Sequence, residues 1–195
     1  MSGAAVHKPV VFKIGGNEID DAAFLDGLAP VVRAAGAPVI IVHGGGKEIS
    51  NLQRALGVEP RYVDGIRITD ADSLAVVEMV LRGMVNTRLV RHLLAGGVGA
   101  LGVSGVDLGL ISAEKMPHEE IDMGFTGNVK AVRGDILLRW LEQGITPVIA
   151  PICLGPNNTL NVNADHVAGA VAAAVEAGKI VFFTNVEGVL INGIC

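Results

Sequence analysis

Short, nearly continuous apolar runs alternate along the chain with stretches whose apolar residues recur at helical spacing. Val10 to Ile14 and Pro38 to Val42 are such runs, and each leads into glycines, Gly15-Gly16 after the first and Gly44 to Gly46 after His43. A β-branched run closed by glycine predicts a buried strand entering a tight loop. Helical spacing follows each loop, from about Asp21 to Ala35 and then through Ile49, Leu52 and Leu56 to a stop at Gly57. Thr69, with Asp72 three residues on, predicts a capping box that opens one long helix from Asp70 to about Ala95, ended by Gly96-Gly97. Val98 to Val103 predicts a third strand and Ile121 to Val132 a glycine-containing hairpin; a helix over Asp135 to Gln143 stops at Gly144, and Pro147 to Cys153 is another buried strand. Beyond a turn at Pro156-Asn157-Asn158 come a short strand over Leu160 to Val162, an alanine-rich helix over Asp165 to Ala177 and a last strand over Lys179 to Thr184.

Apolar strands alternating with helices predict an α/β fold, a three-layer sandwich whose mainly parallel central sheet is covered by helices on both faces. Right-handed crossovers bring the carboxyl ends of parallel strands to one edge, where the loops after Ile14, Val42 and Thr184 converge. No linker interrupts the pattern, so residues 1 to 195 are expected to form a single domain.

Composition narrows the function. With 195 residues, 50% hydrophobic, 18% charged and a mean hydropathy of +0.50, the chain has apolar material for a sizeable core and is not globally disordered. Its 26 glycines are nearly twice the usual share of about 7% and show no collagen period, which assigns them to turns and ligand loops. A net charge of −5 without a basic cluster argues against a nucleic-acid partner. No apolar run approaches the ~20 residues of a membrane span, and the first residues lack a secretory apolar core. Cys153 and Cys195 are the only cysteines, so the expected setting is the reducing cytoplasm.

Strand-to-helix glycine loops expose backbone N–H groups suited to anions, although each of Gly15-Gly16, Gly44 to Gly46 and Gly188 could be only a tight turn. Neither the dinucleotide fingerprint nor the Walker A pattern occurs. Lys13 is penultimate in an apolar strand, so its ammonium either leaves through the strand's carboxyl end or is paired. Arg67, in Asp64-Gly65-Ile66-Arg67-Ile68-Thr69, could hold a carboxylate or pair with Asp64 or Asp70. Asn161, Asn163 and Asp165 stand at a strand-to-helix junction where Asn163 suits an N-cap. His43, the His118-Glu119-Glu120 run and Asp122 fit no metal-ligand spacing and read as exposed loop residues, while Cys153 reads as a buried inert thiol.

Six segments in order resemble the amino-acid kinase family: Phe12 to Asn17, Val42 to Gly46, Asp64 to Asp70, Val76 to Val80 with Val85-Asn86, Pro147 to Pro151, and Leu160 to Asp165. The match is closest to members that phosphorylate the side-chain carboxylate of N-acetylglutamate with ATP, giving an acyl phosphate in arginine biosynthesis. The resemblance implies that Lys13 meets the β- and γ-phosphates of ATP with Gly16 beside it, and that Asp165 orients the catalytic lysines. It implies that Gly45, Gly46, Arg67 and Asn161 hold N-acetylglutamate, with Arg67 on its α-carboxylate. The nucleotide-binding part would begin at about residue 178, with Thr184, Asn185 and Gly188 opening the pocket, and Mg²⁺ would arrive on the nucleotide with no protein-bound metal. A carboxylate nucleophile is already ionised at pH 7, so no catalytic base is required.

Family members continue past the equivalent of Cys195, where a second lysine and the rest of the adenine site would lie, so the sequence reads either as a C-terminally truncated member or as a naturally short protein that has lost part of its ATP site. The resemblance also implies a homodimer through the Asp70 to Ala95 helix, whose core stripe would carry Leu74, Val77, Leu81, Met84 and Val85 and whose second stripe would carry Val76, Met79, Gly83 and Val90. Two other readings stay open: a kinase for carrier-protein-linked aminoadipate in lysine biosynthesis, and a catalytically weak small-molecule-binding form of the fold.

Overall fold

A computed structural model describes residues 7–184. Strand β1 (Val10–Ile14) enters α1 (Gly16–Ile19) and α2 (Ala22–Ala34), and β2 (Val39–His43) enters α3 (Gly46–Ala55). A hairpin of β3 (Arg61–Val63) and β4 (Ile66–Ile68) precedes α4 (Ala71–Glu78), a π-helical segment (Met79–Val85) and α5 (Asn86–Ala95). Then come β5 (Ala100–Ser104), β6 (Ile111–Lys115), β7 (Thr126–Val132), α6 (Gly134–Glu142), β8 (Thr146–Ala150), β9 (Ile152–Leu154), β10 (Thr159–Val162), α7 (Ala164–Ala174) and β11 (Lys179–Phe183).

The central sheet has the order β11-β1-β2-β8-β5, and every pair in it is parallel. Successive side chains of a strand leave opposite faces, which sorts the core into two layers. Phe12, Ile14, Ile41 and Val148 join Leu28 of α2 and Leu89 and Leu93 of α5; Val11, Ile40, Val42 and Ile149 join Leu137 of α6 and Val167 and Val171 of α7. This is the expected three-layer α/β sandwich. Burying side chains such as Leu28, Leu89 and Leu137, each at most 1% exposed, contributes about 1.5–3 kcal/mol apiece. Beside the sandwich, β10, β7, β6 and β9 close into a small barrel.

Several local expectations are corrected. The hairpin placed within 121–132 owns only its second arm, β7; the first arm is β6, whose Ile-Ser-Ala-Glu-Lys alternates toward a half-exposed barrel face and is too short to stand out. The run from Pro147 splits into β8 and β9 around Pro151, which has no N–H to continue the ladder. The β3–β4 hairpin was not expected, yet Asp64-Gly65 forms its turn with φ of 49° and 76°, a pair of positive values that aspartate and glycine tolerate.

Last, Asp70 rather than Thr69 caps the long helix, its carboxylate accepting from the Ser73 N–H at 2.9 Å. That helix carries a π segment, which adds a residue per turn and rotates every later side chain by about 100°. Met84, assigned to the core stripe, is therefore 49% exposed beside Met79 at 51%. Val76, assigned to the outer stripe, is buried because α3 and β10 cover α4 on a second side.

Candidate active site

The carboxyl ends of β1 and β2 deliver two glycine loops to one place. The Gly44 N–H donates to Ile14 O at 2.9 Å, and the Gly15 N–H donates to Phe183 O at 3.2 Å, stitching the loops to each other and to the end of β11. A Cβ on Gly16 would stand 3.4 Å from Gly46 N, and one on Gly45 would stand 2.7 Å from Leu81 Cδ2 on the π segment. Glycine is required at position 45, where a Cβ would collide with the Leu81 side chain, whereas at position 16 a Cβ would make ordinary contact.

Between the loops and β10 lies a cavity of about 270 Å³, whose lining includes Lys13, Gly16, Gly45, Gly46, Arg67, Asn161 and Asp165. Seven of the ten residues expected at the site thus share one cavity. Thr184 is an exposed residue after β11, and Asn185 and Gly188 lie outside the described residues.

Lys13 does not run out into solvent. Its Nζ stands 2.9 Å from Asp165 Oδ1, with the lysine side chain 15% exposed and the aspartate 49%. Asp165 is in the first turn of α7, where Asn163 is the N-cap, accepting from the Asp165 N–H at 2.7 Å and from the His166 N–H at 3.4 Å. The N-terminus of α7 favours the Asp165 carboxylate, and that carboxylate fixes an ammonium at the end of a buried strand.

Arg67 is not a surface ion pair with Asp64 or Asp70, because it is only 8% exposed. Its Nη1 donates to Gln53 Oε1, and its Nη2 donates to Gly46 O at 3.0 Å and to Ser50 Oγ at 2.9 Å. The Tyr62 ring covers it at 4.7 Å, and the Tyr62 hydroxyl bonds to Ser50 Oγ at 2.9 Å. Among the described residues no carboxylate pairs with this guanidinium, and burial pulls its pKa down while leaving it charged. Asp70 is committed to its cap, with the Ser73 hydrogen bonds holding its carboxyl below the usual range.

Asn161 Nδ2 donates to Thr69 Oγ1 at 3.0 Å, and Thr126 Oγ1 donates to Arg67 O at 2.6 Å. Thr69 is thus a buried site residue instead of a cap. Residue patterns passed over Gln53, Ser50, Tyr62 and Thr126, and gave Thr69 only the role of a cap. The Asp64-Gly65 turn was the available signal, since it places Tyr62 opposite Arg67.

His43 was expected to be an exposed loop residue, and instead it ends β2 fully buried. Its Nδ1–H donates to Gly44 O at 2.9 Å, which leaves Nε2 to accept from Asn86 Nδ2 at 3.0 Å. Asn86 also reaches Val148 O at 2.8 Å, so one amide joins the end of β2 to the middle of β8 behind the glycine loop. Burial, aided by Arg82, lowers the His43 pKa to about 4 against the opposing bond to Gly44 O. The unfolded chain therefore takes up this proton first as pH falls below 6.5, and stability present at neutral pH is lost on the way to pH 4. Between pH 7 and pH 5 the wild type should lose about 2 kcal/mol more unfolding free energy than His43→Gln. Urea unfolding at both pH values checks this, and equal losses in the two proteins would show that His43 titrates normally.

Cys153 is buried and its thiol is pushed up to about 12, so it is inert as a nucleophile. Among the described residues no group of three or more His, Cys, Asp or Glu side chains could hold a metal, and no helix is long and apolar enough to cross a membrane.

The family model of the amino acid kinase family matches residues 8–193. The acetylglutamate kinase of Roseiflexus sp. (strain RS-1) is 54% identical over 184 residues, which are 94% of this chain and 70% of that protein. The acetylglutamate kinase of Methanopyrus kandleri is 46% identical over 185 residues, covering 92% of this chain and 72% of its own length. Among solved structures, that of smu.665 from Streptococcus mutans UA159 superposes with a TM-score of 0.83 at 30% identity, covering 95% of this chain and 76% of that one.

Proposed function

The chain belongs to the amino acid kinase family, and from that premise we propose that it is an acetylglutamate kinase, transferring the γ-phosphoryl group of ATP to the side-chain carboxylate of N-acetylglutamate in arginine biosynthesis. The observation that carries the substrate assignment is Arg67, a buried guanidinium without a carboxylate partner among the described residues, opening onto the same cavity as Lys13. An amino-acid derivative with two carboxylates suits this pair. One carboxylate is held by Arg67 and the other is free to attack.

The attacking oxygen is an ionised carboxylate, so the obstacle is repulsion between two anions, not deprotonation. Lys13, held by Asp165, neutralises charge on the transferring group. The N–H groups of the stacked glycine loops and the N-terminus of α3 add fixed positive ends of dipoles where that charge grows. Gly45, Gly46 and Asn161 complete the wall against the acyl-amino acid. Gly16 meets the phosphates, and Thr184, which follows β11, opens the nucleotide pocket. Mg²⁺ would arrive on the phosphates of ATP and, when bound, would offset their charge. The same reading places the enzyme in the cytoplasm.

Incubating the full chain with MgATP, N-acetylglutamate and hydroxylamine tests the function. Acyl hydroxamate should form only when all are present. Turnover of carrier-linked aminoadipate with none of N-acetylglutamate would overturn the assignment.

A homodimer through the α4–π–α5 helix belongs to the same proposal, because Met79, Gly83 and Met84 leave an apolar stripe exposed on it. Met79→Glu should convert a dimer at micromolar concentration to a monomer in analytical ultracentrifugation. A monomeric wild type would remove the dimer.

A further inference from the structure

An arginine side chain offers five N–H donors and no acceptor. At Arg67 the protein engages three of them, and each acceptor is neutral: the Gln53 amide oxygen, the Gly46 carbonyl and the Ser50 hydroxyl. The fourth contact, the Tyr62 ring at 4.7 Å, attracts the cation without neutralising it. Gln53 is the decisive member of the set. It is fully buried, and its Nε2 donates to Ser73 Oγ at 2.8 Å, so its amide oxygen is turned toward Arg67. The opposite orientation would set two donors against each other.

Glutamate would fill the same volume at position 53 and accept the same hydrogen bond. It would also supply, inside a buried site, the carboxylate that Arg67 lacks, and an internal ion pair competes with any ligand carboxylate for the same charge. We propose that Gln53 is a positioning residue that determines specificity: it orients Arg67 through a neutral amide, so that the guanidinium keeps its charge for a substrate carboxylate and the site selects a carboxylate over the corresponding carboxamide. The inference rests on the reading of Arg67 as the α-carboxylate site, and deepens it by naming what keeps that site cationic.

The test compares N-acetylglutamate with its α-carboxamide analogue as substrates for the full chain and its variants. Wild type should favour the acid by about 30- to 150-fold in kcat/KM, the range of a lost charge-assisted contact. Gln53→Glu should raise KM for N-acetylglutamate by at least about tenfold, change kcat less than about threefold and erase most of the preference for the acid, with Tm no lower than wild type. Gln53→Met removes the acceptor and leaves the charge, so it should keep the preference while raising KM only a few-fold. Arg67→Ala should abolish the preference, and if it does not, the assignment of Arg67 fails and takes this inference with it. If Arg67→Ala abolishes the preference but Gln53→Glu retains it, or if Gln53→Met loses it as fully as Gln53→Glu, only the role given to Gln53 is overturned. A fall in Tm for Gln53→Glu counts the same way, since the proposal requires that the new carboxylate be satisfied by Arg67.

Discussion

Replacing Lys13 with alanine should lower kcat by about 10²- to 10³-fold while the Kd for N-acetylglutamate stays within a few-fold of wild type. The strand presents this ammonium at its carboxyl end, and Asp165 Oδ1 stands 2.9 Å from it, so the charge is positioned before any ligand arrives. A donor fixed in advance acts most strongly where negative charge develops, in the transition state, and loses little ground-state binding when removed. The glycine loops and the N-terminus of α3 remain in the variant, which is why the loss should fall short of all catalysis. Single-turnover kinetics on the full chain, with calorimetry for substrate binding, separates the two quantities. A variant within about tenfold of wild-type kcat would remove Lys13 from the chemistry, and a large rise in substrate Kd with unchanged kcat would make it a binding residue.

The central sheet was legible because burial on both faces leaves strands such as Val39–His43 with no polar alternation to confuse the pattern. The glycine loops were legible for the same reason, since glycines sit at the ends of those runs. Legibility failed where pairing is set by distant chain. Strand β6 is recognisable only once β7 and β9 lie against it, and Val76 is buried only because α3 and β10 close over it. At the site, Lys13 stood out as a cation in an apolar strand, and Arg67 was marked by the family resemblance because residue type alone left it open to a pair with Asp64 or Asp70, whereas Gln53 and Ser50 sit on the inner side of α3 and are ordinary helix residues until Arg67 arrives from β4. His43 was misread because residue type alone cannot tell a buried neutral imidazole from an exposed one. The distinction lies in Asn86, which is 43 residues away.

Arg67→Ala should raise the KM for N-acetylglutamate by about 30- to 150-fold, because a charge-assisted contact to a carboxylate contributes on the order of 2–3 kcal/mol. The effect should sit mainly in KM, since this carboxylate is bound alike before and during phosphoryl transfer. Arg67→Lys should not restore affinity. A lysine ammonium is a compact point charge without the planar fork that reaches Gln53, Ser50 and Gly46 O together, and it cannot lie flat under the Tyr62 ring. Both variants leave the buried Gln53 oxygen without its guanidinium partner, so each should also lose about 1–3 kcal/mol of stability. That loss must be measured separately, by urea unfolding with and without N-acetylglutamate, because a ligand that no longer binds no longer stabilises. Wild type should gain stability from saturating N-acetylglutamate and both variants should gain almost none. A KM unchanged in both variants, with the ligand still stabilising them, would place the α-carboxylate elsewhere in the cavity and leave Arg67 as a purely structural link between β4 and α3.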